Sequence, residues 1–152
     1  MSAGPGSVID DAMLETGSTT DIVGYRLRRA QLSVFQRFLS AFAALDLRPA
    51  EYSALTLIGD NPGRKQTEIA EILGIKRANF VALINGLEGR GLTERRAAHG
   101  DRRANALFLT KEGEDFLETA RAVQDDFEAD CIACLGGPKA RDTLLDLLGR
   151  LC

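Results

Sequence analysis

From Asp21 the apolar residues fall on a helical period: Tyr25, Leu32, Phe35, Leu39 and Phe42 form one stripe, and Leu27, Val34, Phe38, Ala41 and Leu45 a second beside it. Arg26, Arg29, Ser33, Gln36 and Ser40 keep a narrow polar face. This predicts a helix over about 21–46, capped by Asp21, that is dry around most of its circumference and so needs cover on more than one side. A partner subunit, a ligand cavity or a central place in the core would each supply that cover. Pro49 suits the first turn of the next helix, which carries Tyr52, Leu55, Leu57 and Ile58 to a break at 59–63. Ile69, Ala70 and Leu73 define a short helix ended by Gly74. Phe80, Leu83, Ile84 and Leu87, at spacings of three and four, define another that stops between Gly89 and Gly91.

The period then changes. Residues 92–96 and 105–109 read as strands joined by a loop at 97–103 that is rich in Gly, Asp, His and Arg. Thr110 caps a long helix with Glu112, Glu114 and Asp115 in its first turns, where the helix dipole favours negative charge. Its stripe runs Phe116, Ala120, Val123, Phe127, Cys131 and Cys134 to a break at Gly136-Gly137-Pro138, and Leu144, Leu145, Leu147, Leu148 and Leu151 mark a last helix. Two short helices about a glycine turn, followed by a hairpin, outline a mainly α winged helix-turn-helix with a small β-hairpin wing, over about 50–110. Residues 21–46 and 110–152 are then terminal dimerisation helices that pair across a two-fold axis, giving a homodimer. Residues 1–20 carry little apolar periodicity and read as a flexible arm beside a single domain over 21–152.

Charge sharpens this picture. The chain has 152 residues and a formal net charge of −3, which on its sum is wrong for a nucleic-acid binder. The distribution differs from the sum: residues 64–103 hold nine Lys and Arg against five Asp and Glu, whereas 104–152 hold five against ten. Positive charge thus concentrates where the motif needs phosphate contacts. Lys76, Arg77 and Asn79 open the second helix of the motif, where side chains reach base edges in the major groove. Ala78, Val81 and Ala82 offer apolar contact to thymine methyl groups, while Phe80 anchors the helix in the core. Cations at a helix start oppose the dipole unless an anion such as phosphate neutralises them. Lys65, Gln66 and Thr67, at the start of the first helix, are the candidate contacts to the DNA backbone. His99 on the hairpin loop either adds a phosphate contact or is simply solvated.

Other classes are disfavoured. No apolar run approaches a membrane span, and residues 1–11 lack the basic-then-apolar order of a secretory signal, so a cytoplasmic protein is expected. Three cysteines and one histidine fit neither a disulfide scaffold nor a zinc site, and no metal or cofactor is expected. The glycines of 86–91 do not have dinucleotide or P-loop spacing, and no catalytic set stands out, so the chain does not read as an enzyme. Cys131 and Cys134, three apart, either form a redox pair in a redox-sensing regulator or pack as small hydrophobes on the helix stripe. A winged-helix module used only for protein contacts is a further alternative, but it would not require Arg102 and Arg103 at the hairpin.

Three stretches together carry a family resemblance that covers nearly the whole chain after residue 20. They are Gln66-Thr67-Glu68-Ile69-Ala70-Glu71-Ile72-Leu73-Gly74-Ile75, Leu87-Glu88-Gly89-Arg90-Gly91-Leu92-Thr93-Glu94-Arg95, and Asp101-Arg102-Arg103-Ala104 ahead of Leu109-Thr110-Lys111-Glu112-Gly113. In this order the chain resembles the MarR family of bacterial regulators. The resemblance implies a dimeric transcription factor, usually a repressor, released from a palindromic operator on double-stranded DNA by a small molecule such as an aromatic carboxylate. It departs from the family at Lys65 and Lys76, where Ser or Thr caps are common, and at Val81, Ala82 and Gly86, where polar or basic residues are. Lys76-Arg77-Ala78-Asn79-Phe80 is similar to a branch that responds to phenylpropenoid acids or their coenzyme A thioesters. The resemblance also implies that Arg103 enters the minor groove while Asp101 holds its guanidinium, with Arg102 on phosphate or exchanging roles with Arg103. It puts an effector pocket between the dimer helices and the DNA-binding lobe, with Arg26, Arg29, Phe35, Phe38, Tyr52 and Phe127 as candidates. The competing reading makes the phenylalanines plain core and Arg26, Arg28 and Arg29 a wet helix face.

Overall fold

Helix starts and stops follow the caps and glycines of the chain, with a few instructive exceptions. The computed structural model describes residues 17–152, and at 101 and 102 the backbone only. The flexible-arm expectation for 1–16 therefore lies outside the described residues, whereas Gly17–Thr20 makes one helical turn, α1. That turn takes the Asp21 amide onto the Gly17 carbonyl at 3.2 Å, so the long helix α2, Val23–Ala41, begins after Ile22 rather than at Asp21. Two compact units, Met1–Gln36 and Arg37–Cys152, divide the chain. In the first, Ile22, Val23, Leu27, Leu32, Val34 and Phe35 are exposed on α2 and the turn before it.

In the second unit, Phe38 and Phe42 turn inward and a short 3-10 turn leads to Asp46, which adopts a left-handed φ of 46°. Helix α3, Pro49–Asp60, buries Ala54, Leu55 and Ile58. It runs on through Gly59 and Asp60, past the break expected from the sequence, because Gly59 serves packing rather than turning. A Cβ there would lie 2.8 Å from Leu117 Cδ2 and 3.1 Å from Leu109 Cδ1. Helices α4, Gln66–Ile72, and α5, Arg77–Gly89, are joined by a turn in which the Ile75 amide reaches back to the Ala70 carbonyl at 3.0 Å. Gly74 at φ 63° makes that turn possible without strain.

Strands β1, Thr93–Ala98, and β2, Asp101–Leu109, form an antiparallel hairpin with only His99 and Gly100 between them. The loop expected at 97–103 is thus mostly strand. The register is regular from Thr93 opposite Leu109 to Ala97 opposite Asn105, then slips so that Ala98 faces Asp101. Residues 102–104 form the excess on β2, a bulge of the kind that re-aims side chains at strand ends. Residues 63–65 add a third, short piece to the sheet: Gly63 N–H donates to Leu107 O at 2.9 Å and Leu107 N–H to Arg64 O at 3.0 Å. This pairing was hidden behind the Pro62-Gly63 turn signal.

Helix α6, Lys111–Leu135, is locked to the base of the hairpin. Thr110 Oγ1 accepts from the Gly113 amide at 3.0 Å and donates to Gly91 O at 2.6 Å, while the Thr110 amide donates to Leu92 O at 3.1 Å. Arg121 on α6 pairs with Asp60 of α3 at 2.6 Å. Gly136, at φ 96°, ends α6, and α7, Pro138–Gly149, follows with Leu144, Leu145 and Leu147 exposed. The core gathers Phe42, Leu55, Ile58, Ile69, Phe80, Ile84, Leu87 and Leu107.

Gly113 explains a motif glycine that sequence alone left unassigned: a Cβ there would sit 1.9 Å from the Leu92 carbonyl oxygen. Gly113→Ala should therefore lower the unfolding free energy by about 3 kcal/mol through overpacking. Gly86→Ala, in open space within α5, should instead raise it by up to about 1 kcal/mol. Urea unfolding of the two variants checks both, and coincident midpoints would contradict the close approach at Leu92.

Candidate nucleic-acid interface

Helix α5 presents two faces of opposite character. Phe80, Ile84 and Leu87 are fully buried, which turns Ala78 and Ala82 outward, and Lys76, Arg77 and Asn79 are exposed at the start of the helix. Asn85 and Gly86 continue that exposed face one turn further. The sequence reading stopped short of them, although the seven-residue step from Ala78 to Asn85 was the available signal. Val81, expected among the outward contacts, is half-buried on the flank of the helix, because it adjoins Phe80 around the helix circumference.

The starts of α4 and α5 are unusual in what caps them. Lys65 and Lys76 occupy the N-cap positions, and neither side chain offers an acceptor. At α4 the Glu68 carboxylate substitutes, accepting from the Lys65 amide at 2.8 Å. At α5 no side chain closes the cap, so its first amides and the positive end of its dipole face outward beside Lys76 and Arg77.

A groove of about 280 Å³ runs between these helix starts and the wing, lined by Lys65, Gln66, Thr67, Arg77, Arg103, Ala104 and Asn105. It brings together residues singled out from three separate stretches of the chain: the start of α4, the start of α5 and the bulge of β2. Ala104 and Asn105 were not foreseen. His99 is exposed at the hairpin tip and does not line the groove. The side chains of Asp101 and Arg102, with the clamp expected of Asp101, lie outside the described residues.

Three arginines that the sequence reading left without a role hold this surface in place. Arg96 lies over the Phe108 ring at 4.3 Å and pairs with Glu94. Arg90, at the end of α5, donates to the carbonyl oxygens of Leu45 and Asp46, both at 2.8 Å, and sits 5.1 Å from the Phe116 ring centre. Arg95, mostly buried, forks to Gln66, Asn85 and Glu88.

The expected effector residues are distributed differently. Phe38 stacks on Phe42 at 4.0 Å, and meets Phe127 edge-on at 5.7 Å and Tyr52 at 6.3 Å. Phe38 and Phe127 are only 6% and 7% exposed, so the trio Phe38, Phe42 and Phe127 packs as core in the single chain, with Tyr52 half-buried beside it. Arg26, Arg29 and Phe35 are exposed on α2, with the Arg26 Nε donating to the Thr20 carbonyl. The redox alternative finds no support: burial pushes the Cys131 thiol up, with Arg37 only partly opposing it, whereas a sensing thiol needs the reverse. Among the described residues no His, Cys, Asp and Glu group could hold a metal, and no helix is long and apolar enough to cross a membrane.

Helix, glycine turn, exposed helix and hairpin in this order define a winged helix-turn-helix protein. Residues 45–104 match the model of the MarR family. A protein named for transcriptional regulation of the hcr operon of Thauera aromatica is 32% identical over 143 residues, covering 93% of this chain and 86% of its own length. The repressor CouR bound to a 23-mer DNA duplex is 44% identical, with a TM-score of 0.85 over 91% of this chain and 97% of that one. CouR bound to p-coumaroyl-CoA is 42% identical, with a TM-score of 0.83 over 91% and 96%. The chain belongs to the MarR family of transcriptional regulators.

The Arg90 contacts tie the end of α5 to the turn before α3 and to α6, so their loss should be felt as stability. Arg90→Ala, leaving two carbonyls without their charged donor, should cost about 1 to 2 kcal/mol after allowing for the exposure of this arginine. Arg90→Lys should recover only part, since an ammonium cannot span both oxygens as the planar fork does. Urea denaturation of both variants tests this ordering.

Proposed function

We propose that this protein is a homodimeric repressor that binds a palindromic operator and is released from it by an aryl-coenzyme A thioester. The observation that carries the DNA-binding part is the groove that unites Lys65, Gln66, Thr67, Arg77 and Arg103. Three cations, the uncapped start of α5 and the positive end of its dipole converge there, as a phosphodiester requires. In this reading α5 lies in the major groove, where Arg77 and Asn79 reach base edges while Ala78 and Ala82 meet thymine methyls. Lys76 reaches base edges beside Arg77, while Lys65, Gln66 and Thr67 contact the backbone, and the β2 bulge directs Arg103 into the adjoining minor groove, whose narrow A·T-rich form concentrates negative potential. Asp101 and Arg102 act with it, and His99 at the tip contacts phosphate. The exposed Leu144, Leu145, Leu147 and Leu151 supply the dimer contact.

The effector reading is supported by the CouR complex with p-coumaroyl-CoA, at 42% identity over nearly both chains. Exposed Arg26, Arg28 and Arg29 suit the phosphates of coenzyme A, and Phe35, Phe38, Tyr52 and Phe127 suit an aromatic acyl group. Because the aromatic trio is closed in the single chain, ligand entry would have to part it, and this couples binding to a change of state.

Fluorescence anisotropy with duplexes from the gene's own promoter tests both halves. Arg77→Ala and Arg103→Ala should each weaken binding at least about 10-fold, and Arg77→Ala should also relax discrimination at the base pair it reads. Sedimentation should show an unchanged dimer. Near-normal binding by both variants would refute the interface.

p-Coumaroyl-CoA should release the duplex at concentrations where free p-coumarate and coenzyme A, alone or together, do not. Thioester that binds, as seen by thermal shift, without weakening DNA affinity would refute the effector.

A further inference from the structure

Arg95 of β1 divides its guanidinium among three partners on two other elements. Nε donates to Gln66 Oε1 at 2.9 Å, one terminal nitrogen to Asn85 Oδ1 at 2.9 Å, and the other to the Glu88 carboxylate. Its side chain is 19% exposed, so this charge is largely withdrawn from water, and Glu88 alone balances it. The two amides add no charge compensation. What they receive from Arg95 is orientation.

A primary amide has one acceptor end and one donor end. With both carbonyl oxygens held by the same cation, Gln66 and Asn85 are left with their amino groups as the ends available to a ligand. Among the described residues neither amino group donates to a protein acceptor. Gln66 lines the basic groove, and Asn85 is exposed on the same face of α5 as Ala78 and Ala82. The surface thus carries two neutral hydrogen-bond donors, one on each helix of the motif, set by a single mostly buried arginine.

Resting on the DNA-binding reading above, we propose that Arg95 is a positioning residue that orients Gln66 and Asn85 with their amino groups as the ends offered to a ligand, and that Asn85 is a further DNA contact that recognises a hydrogen-bond acceptor. Adenine is the poorer bidentate partner, since that pairing needs an asparagine to donate to N7 and accept from N6 at once, and Asn85 Oδ1 would have to accept with its second lone pair while still held by the Arg95 cation. The acceptors that fit are guanine N7 and O6, or a phosphate oxygen. Glu88, by holding the third branch of the fork, keeps the guanidinium from swinging away from either amide.

The test compares unmodified protein with Asn85→Asp, Asn85→Ala, Gln66→Glu and Arg95→Lys on one operator and on all of its single-base variants. Asn85→Asp and Gln66→Glu retain an acceptor for Arg95 but replace the outward amino group by oxygen. They should keep or raise the thermal midpoint while weakening operator binding about 10-fold or more. Arg95→Lys should weaken binding because an ammonium cannot hold both amides. A guanine contact predicts that Asn85→Ala loses discrimination at one base pair per half-site and that Asn85→Asp shifts preference there towards cytosine, whose N4 donates. A phosphate contact predicts that Asn85→Ala weakens binding equally across all sequences, with an unchanged salt slope because a neutral amide releases no counterion. Wild-type affinity in both Asn85 variants, or a preference of the unmodified protein for adenine that Asn85→Ala abolishes, would overturn the proposal. If the unmodified protein itself binds no duplex, the underlying DNA-binding reading falls with it, and that failure is recognised because no variant is needed to see it.

Discussion

Everything at the candidate interface depends on one face of α5 being dry. Phe80, Ile84 and Leu87 are each 0% exposed, and full burial of side chains of this size contributes roughly 1.5 to 3 kcal/mol apiece. Those three contacts fix the rotation of a 13-residue helix about its own axis. With the rotation fixed, Ala78, Ala82 and Asn85 must share the opposite face, while Arg77 and Asn79 are exposed in the first turn of the helix. The polar surface is therefore a consequence of packing, and a polar substitution at Phe80 would displace it even though Phe80 touches no ligand.

Position along the chain is set by different means. The glycines at 59 and 113 are chosen for proximity: each stands where a methyl group would collide, with Leu117 and Leu109 in one case and the Leu92 backbone in the other. The second of these joins wing to helix, since Thr110 bonds to Gly91 and Leu92 before the hairpin and to Gly113 in α6. The hairpin base therefore cannot pivot on α6 without breaking several hydrogen bonds together, and its tip gains a fixed origin. Arg95 performs the equivalent task across β1, α4 and α5 through polar contacts instead of close packing.

Much of this was legible in the sequence, because periodicity, caps and glycine breaks are local signals. Helices α3 to α7 lie where the apolar spacing put them, and the groove is lined by Lys65, Gln66, Thr67, Arg77 and Arg103, all residues that the sequence singles out. What escaped was non-local. The extension of the wing strands into 97–98 and 101–104 depends on a bulge and a two-residue turn, which arginine-rich strands do not announce. Gly59 reads as a helix stop in sequence and acts as a contact in space, because the deciding atoms belong to Leu109 and Leu117. Arg90 and Arg95 looked like two more charges in a basic stretch, since their partners lie up to 45 residues away. Val81 shows the limit of counting along a helix: adjacency to Phe80 outweighed its place among polar neighbours.

The charge pattern and the packing converge on a single mechanical argument. If the protein works as proposed, its DNA-reading helices must move when a ligand binds elsewhere, so some rigid connection has to reach α5 from the rest of the unit. The Arg90 fork provides one. It grips the carbonyls of Leu45 and Asp46 at the turn that follows Phe42, and it lies on Phe116 of α6. Phe42 stacks on Phe38, which meets Phe127 further along the same α6. A ligand that parts Phe38 from Phe127 would strain the turn carrying Leu45 and Asp46, and through Arg90 would pull on the end of α5. On the function proposed above, Phe80, Ile84 and Leu87 would keep that helix from rolling, so the strain would be relieved by carrying α5, the wing and the basic groove together, altering their spacing from a partner's copies without dismantling the surface itself.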